Sequence, residues 1–278
     1  MHAGDGEHAG EAPGAAGTMN KPDLPSDSVS VARAERTLHP FVGRLLGRGR
    51  FSIVRALGSG GMGAVYEAHD EVRGHSVALK YLWRAPSAGG FELKAEFRSL
   101  AGLEHPNVVR LYELICDEDP WFFTMELVQG VDLVHYVRGT SARLSNAITK
   151  PSVESGAEPQ LPEHTGTVSV ERLCSVLVQL VAGLQVIHAA GKLHCDIKPS
   201  NVLVAQDGRV VILDFGLVTD SDSDTRSARI AGTPGYIAPE RFAGQRATEA
   251  SDWYAAGVVL HESLTGELPS PSHSRADE

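Results

Sequence analysis

The chain reads His194-Cys-Asp-Ile-Lys-Pro-Ser-Asn201 in its C-terminal half, and Asp214-Phe-Gly216 follows a short distance later. Two apolar runs, Val202–Val204 and Val210–Leu213, lie between these motifs and are typical of short strands around a turn at Gln206-Asp-Gly208. Any one of the polar residues alone is typical of a turn. Together, in this order and around two strands, they are not expected by chance, and they predict a functional site.

The residue types in these motifs suit phosphoryl transfer. That reaction needs little covalent help from the protein, but it needs a carboxylate that orients the attacking hydroxyl and accepts its proton. Asp196 fits this requirement, and Lys198 can neutralise the γ-phosphate during transfer. Asn201 and Asp214 offer the hard oxygen ligands that Mg²⁺ prefers. The stretch therefore predicts a catalytic aspartate and lysine beside a magnesium site.

A glycine-rich run precedes these motifs and consists of Leu57, Gly58, Ser59, Gly60, Gly61, Met62 and Gly63. A dinucleotide-binding fold would continue into a helix, whereas Ala64-Val-Tyr66 continues as a strand, and a P-loop would need Gly-Lys-Ser/Thr. On this run alone, a simple hairpin turn and a flap over ATP phosphates both remain open. The later motifs favour the flap, in which missing side chains let backbone N–H groups approach phosphate oxygens.

A lysine on the next-but-one strand supports the same interpretation. Lys80 ends the strand-like run Ser76–Lys80, and Glu96 lies within the helical pattern Phe91–Leu103. Taken singly, both residues are most often solvent-exposed charges. At this distance after the glycine run, a Lys80–Glu96 ion pair would hold the ammonium group where it meets the α- and β-phosphates of ATP. We therefore predict catalytic roles for both.

The apolar pattern divides the chain into a strand-rich part and a helical part. Residues 51–128 carry several strand-like runs, the later ones being Val108–Tyr112 and Trp121–Met125, whereas residues 129–269 carry amphipathic runs at Glu171–Ala190 and Trp253–Leu264. This predicts an α+β fold of two lobes: a small antiparallel sheet with one main helix, then a mainly helical lobe.

Polar segments flank and interrupt this domain, which we place at residues 40–269. Residues 1–39 are rich in Gly, Ala, Pro, Ser and Asp, and they are expected to be disordered. Residues 139–167 form a low-complexity insertion, since they exceed the ~12–15 residues of an ordinary loop. Residues 270–278 form a polar tail.

Composition excludes several functional classes. The net charge of −10 argues against a nucleic-acid-binding protein, which needs a basic face. Cys116, Cys174 and Cys195 are too few and too far apart for a disulfide framework or a zinc cluster. The N-terminus lacks the features of a signal peptide, and no apolar run approaches the ~20 residues of a membrane span. We expect a cytoplasmic protein.

Three stretches resemble the protein kinase family, and within it the bacterial serine/threonine kinases. They are Leu57–Tyr66, His194–Asn201 and Gly232-Thr-Pro-Gly-Tyr-Ile-Ala-Pro-Glu240. The resemblance covers about residues 51–269 without the insertion. It implies an enzyme that binds ATP and Mg²⁺ in the cleft between two lobes and phosphorylates protein substrates in signalling. Lys198 and Thr233 resemble the serine/threonine branch of the family rather than the tyrosine branch.

The resemblance also implies which residues contact the adenine base. Phe123–Val128 looks like the hinge, with Met125 as gatekeeper and the backbone of Glu126 and Val128 meeting adenine. The apolar residues on either side of the base would be Val65, Ala78 and Leu203.

Two departures from the family pattern bear on activity. Cys195 stands where the family usually has an arginine that pairs with a phosphorylated loop residue, so we expect that loop phosphorylation is not the on-switch. The family also continues for several helices beyond the one that holds Asp252, whose carboxylate braces the catalytic loop in the family. The second lobe therefore looks truncated, and Glu240 would lack its usual arginine partner. Apolar surface around Val258 and Leu264 would be uncovered.

These departures leave two functions open. One is an active serine/threonine kinase that forms part of a longer polypeptide with further domains. The other is a catalytically weak nucleotide-binding or docking module that resembles a pseudokinase. A third interpretation is a non-functional remnant, which would express as insoluble protein.

Overall fold

The computed structural model describes residues 40–60, 63–82, 91–116, 121–139, 166–214, 219–220 and 232–269. The described residues from Phe41 onward group into one compact unit. The segment at 1–39, nearly all of the insertion at 139–167 and the tail at 270–278, each predicted from sequence, lie outside the described residues.

The first lobe is a six-stranded antiparallel sheet with one helix. Its strands are β1 (Leu45–Leu46), β2 (Phe51–Gly60), β3 (Gly63–Asp70), β4 (His75–Leu82), β5 (Leu111–Ile115) and β6 (Phe122–Met125), and its helix is α1 (Phe91–Ala101). The strands lie in the order β1-β2-β3-β4-β6-β5, and every neighbouring pair is antiparallel. The predicted sheet with one main helix is confirmed.

One predicted strand boundary was wrong. β5 begins at Leu111 rather than at Val108, because the backbone before Leu111 bonds to the second lobe. Val108 forms a parallel bridge with Ile212, and the Val109 amide donates to the Ile212 carbonyl at 3.0 Å. The Ile212 amide donates in turn to the Asn107 carbonyl at 2.9 Å. These partners lie about a hundred residues away in the sequence, so local apolar pattern could not reveal them.

Alternation along β3 and β4 divides the apolar side chains of the first lobe between two layers. Val65 and Ala78 pack into the large core that continues through the second lobe. Tyr66 and Leu79, one position along each strand, pack with Phe51 in a separate core on the opposite face. Since successive side chains of a strand point to opposite faces, a single register fixes which residues line the side toward the second lobe.

The second lobe combines helices with short strands. Its elements are β7 (Gly130–Asp132), α2 (Leu133–Arg138), α3 (Val170–Ala189), β8 (Lys192–Leu193), a 3₁₀ turn (Pro199–Asn201), β9 (Val202–Ala205), β10 (Val210–Ile212), β11 (Thr219–Asp220), α4 (Pro239–Phe242) and α5 (Glu249–Thr265). β10, β9 and β7 form one antiparallel sheet, and β11 pairs with β8. Both predicted helices and both predicted strands are present, so the α+β fold is confirmed.

Helix α3 is long and apolar enough, by length and hydropathy, to meet the criteria for a membrane span. The expectation that no apolar run has this length was therefore wrong. Leu180, Leu184 and Ile187 of this helix are fully buried within the protein core. A core helix passes the same test of length and hydropathy, so α3 by itself is weak support for a membrane segment.

Part of the surface predicted to be uncovered is in fact buried. Val258 is only 4% exposed and belongs to the large core, so the prediction was wrong for this residue. Leu264 is 48% exposed, as expected, and Phe242 is 58% exposed. The carboxylate of Glu240 accepts a hydrogen bond from the Ser251 hydroxyl at 2.7 Å, which gives it a partner within the described lobe.

Two helical glycines give a direct test of close packing. A Cβ added at Gly183 in α3 would lie 2.7 Å from Ile212 Cδ1 and 3.0 Å from the Asn107 carbonyl, whereas a Cβ at Gly257 in α5 would meet nothing within 4 Å. Alanine favours a helix over glycine by about 1 kcal/mol, so Gly257→Ala should raise the free energy of unfolding by up to about that amount. Gly183→Ala should lower it by about 1–3 kcal/mol because the contact with Asn107 is to backbone. Urea unfolding of both variants measures the difference, and an equal gain in both would contradict this packing.

Ion pairs connect three segments of the first lobe: the turn before β2, the end of β3 and the strand β5. The Arg50 guanidinium contacts both Asp70 oxygens at 2.7 and 2.9 Å and Glu113 at 2.7 Å. The Asp70 carboxylate is 2% exposed and also accepts from the backbone amides of Val72 and Arg73. The hydrogen bonds from Arg50 are the main reason why the pKa of Asp70 falls to about 2.

This depressed pKa sets a pH dependence of stability. Since the Asp70 pKa is lower in the folded than in the unfolded chain, its contribution of about 2 kcal/mol is present above about pH 4 and is lost as the pH falls towards 2. Asp70→Asn should therefore lower the free energy of unfolding at pH 6 and flatten its decline between pH 5 and pH 3. Glu71→Gln, at the exposed neighbouring position, is the matched control. Denaturant unfolding across this pH range measures both, and identical slopes would rule out the role of Asp70.

Candidate active site

Asp196 lies at the centre of a compact polar cluster. Its Oδ1 accepts hydrogen bonds from the Thr233 amide at 3.0 Å and the Thr233 hydroxyl at 2.8 Å. Its Oδ2 lies 2.8 Å from Lys198 Nζ and 3.0 Å from Asn201 Nδ2. The Lys198 ammonium also donates to the Thr233 hydroxyl at 2.7 Å. The structure thus brings together three predicted site residues from one stretch and adds Thr233 from a distant one.

The backbone before Asp196 is held by a buried carboxylate from α5. Asp252 is 1% exposed and accepts from the amides of His194 and Cys195, each at 2.8 Å. Cys195 has a φ of 63°, a left-handed conformation that is costly for a residue with a side chain. Asp252 therefore stabilises a strained backbone that would otherwise relax and move Asp196.

A histidine, His188, also forms a hydrogen bond with the Asp252 carboxylate. His188 Nε2 lies 2.9 Å from Asp252 Oδ2, near the end of α3. Burial alone would raise the pKa of Asp252, but the hydrogen bond from His188, together with the backbone bonds, leaves that pKa below its ordinary value. The carboxylate therefore stays ionised. Sequence reasoning missed His188, and its only signal was a polar residue on the apolar side of a helix.

His194 connects the Asp196 stretch to Asp214. Its ring is fully buried, and Nε2 lies 2.7 Å from the Leu213 carbonyl, so this nitrogen carries the proton and donates. Its Nδ1 accepts from the Asp196 amide at 3.3 Å. Burial lowers the pKa of His194, which keeps the ring neutral and preserves this pattern. The Leu213 amide donates to the Asn201 carbonyl at 2.8 Å. Asn201 is therefore bonded to the residue directly before Asp214, which links the two predicted magnesium ligands.

Lys80 and Asp214 meet across the two lobes. Lys80 lies on β4, paired in register with Val65 of β3, and is only 4% exposed. Its ammonium group contacts the Asp214 carboxylate directly. Burial lowers the pKa of Lys80 to about 8, and the negative charge of Asp196 opposes this effect. Asp214 itself has a φ of 63°, so its backbone is also held in a strained conformation.

The predicted partner of Lys80 remains a prediction. Glu96 lies on α1 and is partly buried. The contact that the structure gives to Lys80 is with Asp214, on the other lobe. The carboxylate of Glu96 or of Asp214 can bind the Lys80 ammonium group. Because phosphate is also an anion, its oxygens can take the place of either carboxylate.

The described residues of the glycine-rich run lie at the adjoining ends of the paired strands β2 and β3. Gly60 pairs with Gly63, while Gly61 and Met62 lie outside the described residues. A Cβ at Gly63 would lie 1.8 Å from the Tyr81 carbonyl, so this position requires glycine for strand packing alone. The antiparallel pairing of the two flanking strands is confirmed, and contact with phosphates remains a prediction for the whole run, Leu57 to Gly63.

The residues predicted to surround adenine share one apolar cluster. Ala78 on β4 lies opposite Met125 on β6, and both belong to the same buried core as Leu57, Val65 and Leu203. Because these residues come from both lobes, they form an apolar wall where the lobes meet. A flat apolar ligand suits such a wall.

The predicted hinge follows β6 directly. The Glu126 amide donates to the Arg110 carbonyl at 2.9 Å, and its carboxylate pairs with Arg209 from the second lobe. Sequence reasoning missed Arg209, which no local motif distinguishes from a surface arginine. Within the described ranges, no backbone carbonyl accepts a hydrogen bond from the Val128 amide, and its contact with adenine remains a prediction.

The segment that carries Thr233 is fixed to α5. The Tyr236 amide donates to the Thr233 carbonyl at 3.1 Å, and the Tyr236 hydroxyl donates to the buried Glu262 carboxylate at 2.6 Å. Burial raises the pKa of Tyr236, so the hydroxyl keeps its proton and this bond. Thr233 is therefore positioned beside Asp196 by a turn anchored in the core of the second lobe.

The donor set fits magnesium bound together with phosphate. In the part of the chain that the structure describes, no group of three or more His, Cys, Asp or Glu side chains is arranged to hold a metal ion alone. Mg²⁺ commonly takes only one or two protein ligands and completes its shell with water and phosphate oxygens. Asn201 and Asp214 match that requirement.

Comparison with known proteins agrees with these features. Residues 51–278 match the protein kinase domain family. The chain is 32% identical over 232 residues to the serine/threonine-protein kinase PrkC of Bacillus subtilis, a match that covers 81% of this chain and 32% of that protein. It is 34% identical to PknD of Chlamydia caviae, covering 79% and 24%, and 33% identical to PknA of Mycobacterium tuberculosis, covering 84% and 50%. The chain thus spans between a quarter and half of the length of these relatives.

Proposed function

Because the chain belongs to the protein kinase family, we propose that it transfers the γ-phosphate of ATP to serine or threonine hydroxyls of protein substrates. The observation that carries this proposal is the bonding of Asp196 to Lys198, Asn201 and Thr233. The relatives named serine/threonine-protein kinases support the same reaction. The alternative, a nucleotide-binding or docking module, would bind Mg-ATP without turnover.

The roles follow from the chemistry of each group. Asp196 accepts the proton of the substrate hydroxyl as its oxygen attacks the γ-phosphorus, and the bond to the ADP oxygen breaks. Lys198, bonded to Asp196 and Thr233, stabilises the charge on the transferring phosphoryl group. Thr233 accepts from Lys198 and donates to Asp196, so it keeps the carboxylate oriented towards the hydroxyl.

The nucleotide is held from both lobes. Lys80 exchanges its contact with Asp214 for a contact with the α- and β-phosphates. The backbone amides of the glycine-rich run approach the phosphates from the side of the first lobe. Asn201 and Asp214 would hold Mg²⁺, which would neutralise charge on the phosphates. Val65, Ala78 and Leu203 enclose the adenine base, while the backbone of residues 126–128 meets its polar edge.

Phosphate transfer to a generic basic protein tests the proposal. The chain with labelled Mg-ATP should label serine and threonine in the acceptor, and phosphoamino-acid analysis identifies the residue type. A rise in melting temperature with Mg-ATP but without any transfer would favour the docking module. Failure to bind Mg-ATP at about 1 mM would contradict both.

We propose further that activity does not depend on phosphorylation of the loop between Asp214 and Glu240. Cys195 cannot pair with a phosphate as an arginine would. Alanine at Ser221, Ser223 or Thr225, which lie outside the described residues, should each leave the transfer rate within about twofold of the unchanged chain. A loss of more than about tenfold at any of the three would show that loop phosphorylation is needed.

We also propose where the protein is located in the cell and that it is part of a longer polypeptide. Cys116, Cys174 and Cys195 form no disulfide in the described part of the chain, which suits the reducing cytoplasm, and the net charge of −10 argues against nucleic acid as a substrate. We propose a cytoplasmic catalytic domain joined to further domains, since each relative is much longer than the matched region. Reading the gene beyond the codon for Glu278 tests the second point, and fractionation of source cells tests the first.

A further inference from the structure

A second cavity, apart from the cluster around Asp196, is lined by residues from both lobes. It has a volume of about 370 Å³, and its lining comes from the segment 103–112, from Glu126 after β6 and from Arg209 before β10. This volume lies within the range of ~300–1,000 Å³ that is usual for ligand pockets. The predicted ATP contacts include Glu126 only through its backbone, so the side chains of this cavity have no role in the proposed reaction.

One wall of the cavity is fixed. Arg209 pairs with the Glu126 carboxylate and also donates from Nη1 to the Pro106 carbonyl at 3.2 Å. The bond to Glu126 is the main cause of the raised pKa of Arg209. Because two acceptors hold this guanidinium, the Arg209–Glu126 pair stays in place when a ligand enters.

The lining also includes an exposed cation, Arg110, whose partner can be exchanged. Arg110 contacts Glu104 through one hydrogen bond of 2.9 Å, and the two side chains are 63% and 72% exposed. Exposed pairs of this kind contribute little to stability. Glu104 can therefore turn into solvent and leave the planar guanidinium of Arg110 to an incoming carboxylate, which it can bind in bidentate fashion.

Two uncharged groups of the lining, His105 and Tyr112, can donate hydrogen bonds beside these ion pairs. His105 Nδ1 accepts from the Asn107 amide at 3.2 Å, so its Nε2 carries the proton and donates. Burial raises the pKa of Tyr112, so its hydroxyl keeps its proton at neutral pH and can donate. Leu103 and Val108 add an apolar part to the lining. An anionic group beside an apolar one matches this set.

We propose that this cavity binds a peptide segment of a partner protein that presents a carboxylate side chain next to an apolar side chain. The carboxylate replaces Glu104 on Arg110 and accepts from the Tyr112 hydroxyl, while the apolar neighbour packs on Leu103 and Val108. The proposal does not depend on phosphate transfer.

Three capped, fluorescein-labelled peptides test this site: acetyl-Gly-Leu-Glu-Leu-Gly-amide and the same peptide with Gln or Lys in place of Glu. We expect the Glu peptide to bind the full chain at least about tenfold more tightly than the Gln peptide by fluorescence polarisation, and the Lys peptide to bind more weakly still. Arg110→Gln should abolish the preference for Glu over Gln. Arg98→Gln, which removes an exposed arginine of α1 that does not line the cavity, should preserve it.

Several results would overturn the proposal. They are equal affinity for the Glu and Gln peptides, tighter binding of the Lys peptide, an equal effect of Arg110→Gln and Arg98→Gln, or no saturation with the Glu peptide up to about 5 mM. Arg110 is 63% exposed, so its substitution should leave the melting temperature unchanged, and a circular dichroism melt of each variant verifies this.

Discussion

Asp196→Asn is expected to lower the rate of phosphate transfer by about 10³-fold, within the usual range for loss of a general base. The amide has nearly the same shape as the carboxylate and keeps an oxygen that accepts from the Thr233 amide. It cannot take the proton of the substrate hydroxyl, and it cannot neutralise Lys198 at 2.8 Å. The loss should therefore appear in kcat rather than in the KM for ATP.

The measurement is steady-state transfer of labelled phosphate, with nucleotide binding followed separately by calorimetry. Asp207→Asn is the matched control, because Asp207 lies in an exposed turn and its carboxylate accepts from the Arg209 amide at 3.0 Å, with no other hydrogen bond to it among the described residues. It should leave kcat within about twofold of the unchanged chain. If Asp196→Asn keeps more than about a tenth of the activity, Asp196 is not the proton acceptor.

Asp252→Ala is expected to cost about 3–5 kcal/mol of folding free energy, since it leaves several buried partners without an acceptor. The amides of His194 and Cys195 and the ring of His188 all lose their bond to this carboxylate. The strained backbone of Cys195 then relaxes, and Asp196 moves with it. Transfer activity should fall at least about 10²-fold even under conditions in which the variant is folded.

Urea unfolding and hydrogen exchange of the amides at 194–196 measure these two effects separately. Glu249→Gln serves as the control, because this carboxylate is on the same helix, 63% exposed and 3.7 Å from His188 Nδ1. Its change in unfolding free energy should stay within about 0.5 kcal/mol. A loss below about 1 kcal/mol for Asp252→Ala, or unchanged exchange at 194–196, would mean that another group holds the loop.

Local sequence predicted those parts of the site that lie close together along the chain. Asp196, Lys198 and Asn201 belong to one stretch, so a turn and a short 3₁₀ helix suffice to bring their side chains together. The strands and helices followed from apolar periodicity in the same way, because burial of one face selects a period of two or 3.6 residues. The two-lobed fold was therefore predictable from the motifs and patterns together.

Contacts between distant segments were not predictable without the resemblance to a family. The pairing of Lys80 with Asp214 spans 134 residues, and that of Arg209 with Glu126 spans 83. The sequence around Lys80 and around Arg209 does not show that their partners are Asp214 and Glu126 rather than other carboxylates. The burial of Val258 was missed for a related reason, since the sequence shows which face of α5 is apolar but not how much of the protein packs on it.

The backbone bonds between residues 107–109 and Ile212 have a mechanical consequence. They attach the chain that follows α1 to the helical half of the molecule, although in sequence it belongs to the sheet-bearing half. Asn107 strengthens this attachment, because its amide group donates to Gln179 on α3 at 3.0 Å and to the Val210 carbonyl at 2.8 Å. If the proposed kinase opens its cleft to release ADP, these bonds place the pivot beyond residue 109 on one side and after β6 on the other. Residues 107–109 would then move with the second lobe, and the sheet of the first lobe would rotate relative to both. Spin labels at exposed positions beside Asn107 and on α3 would therefore keep a constant separation as the cleft opens and closes.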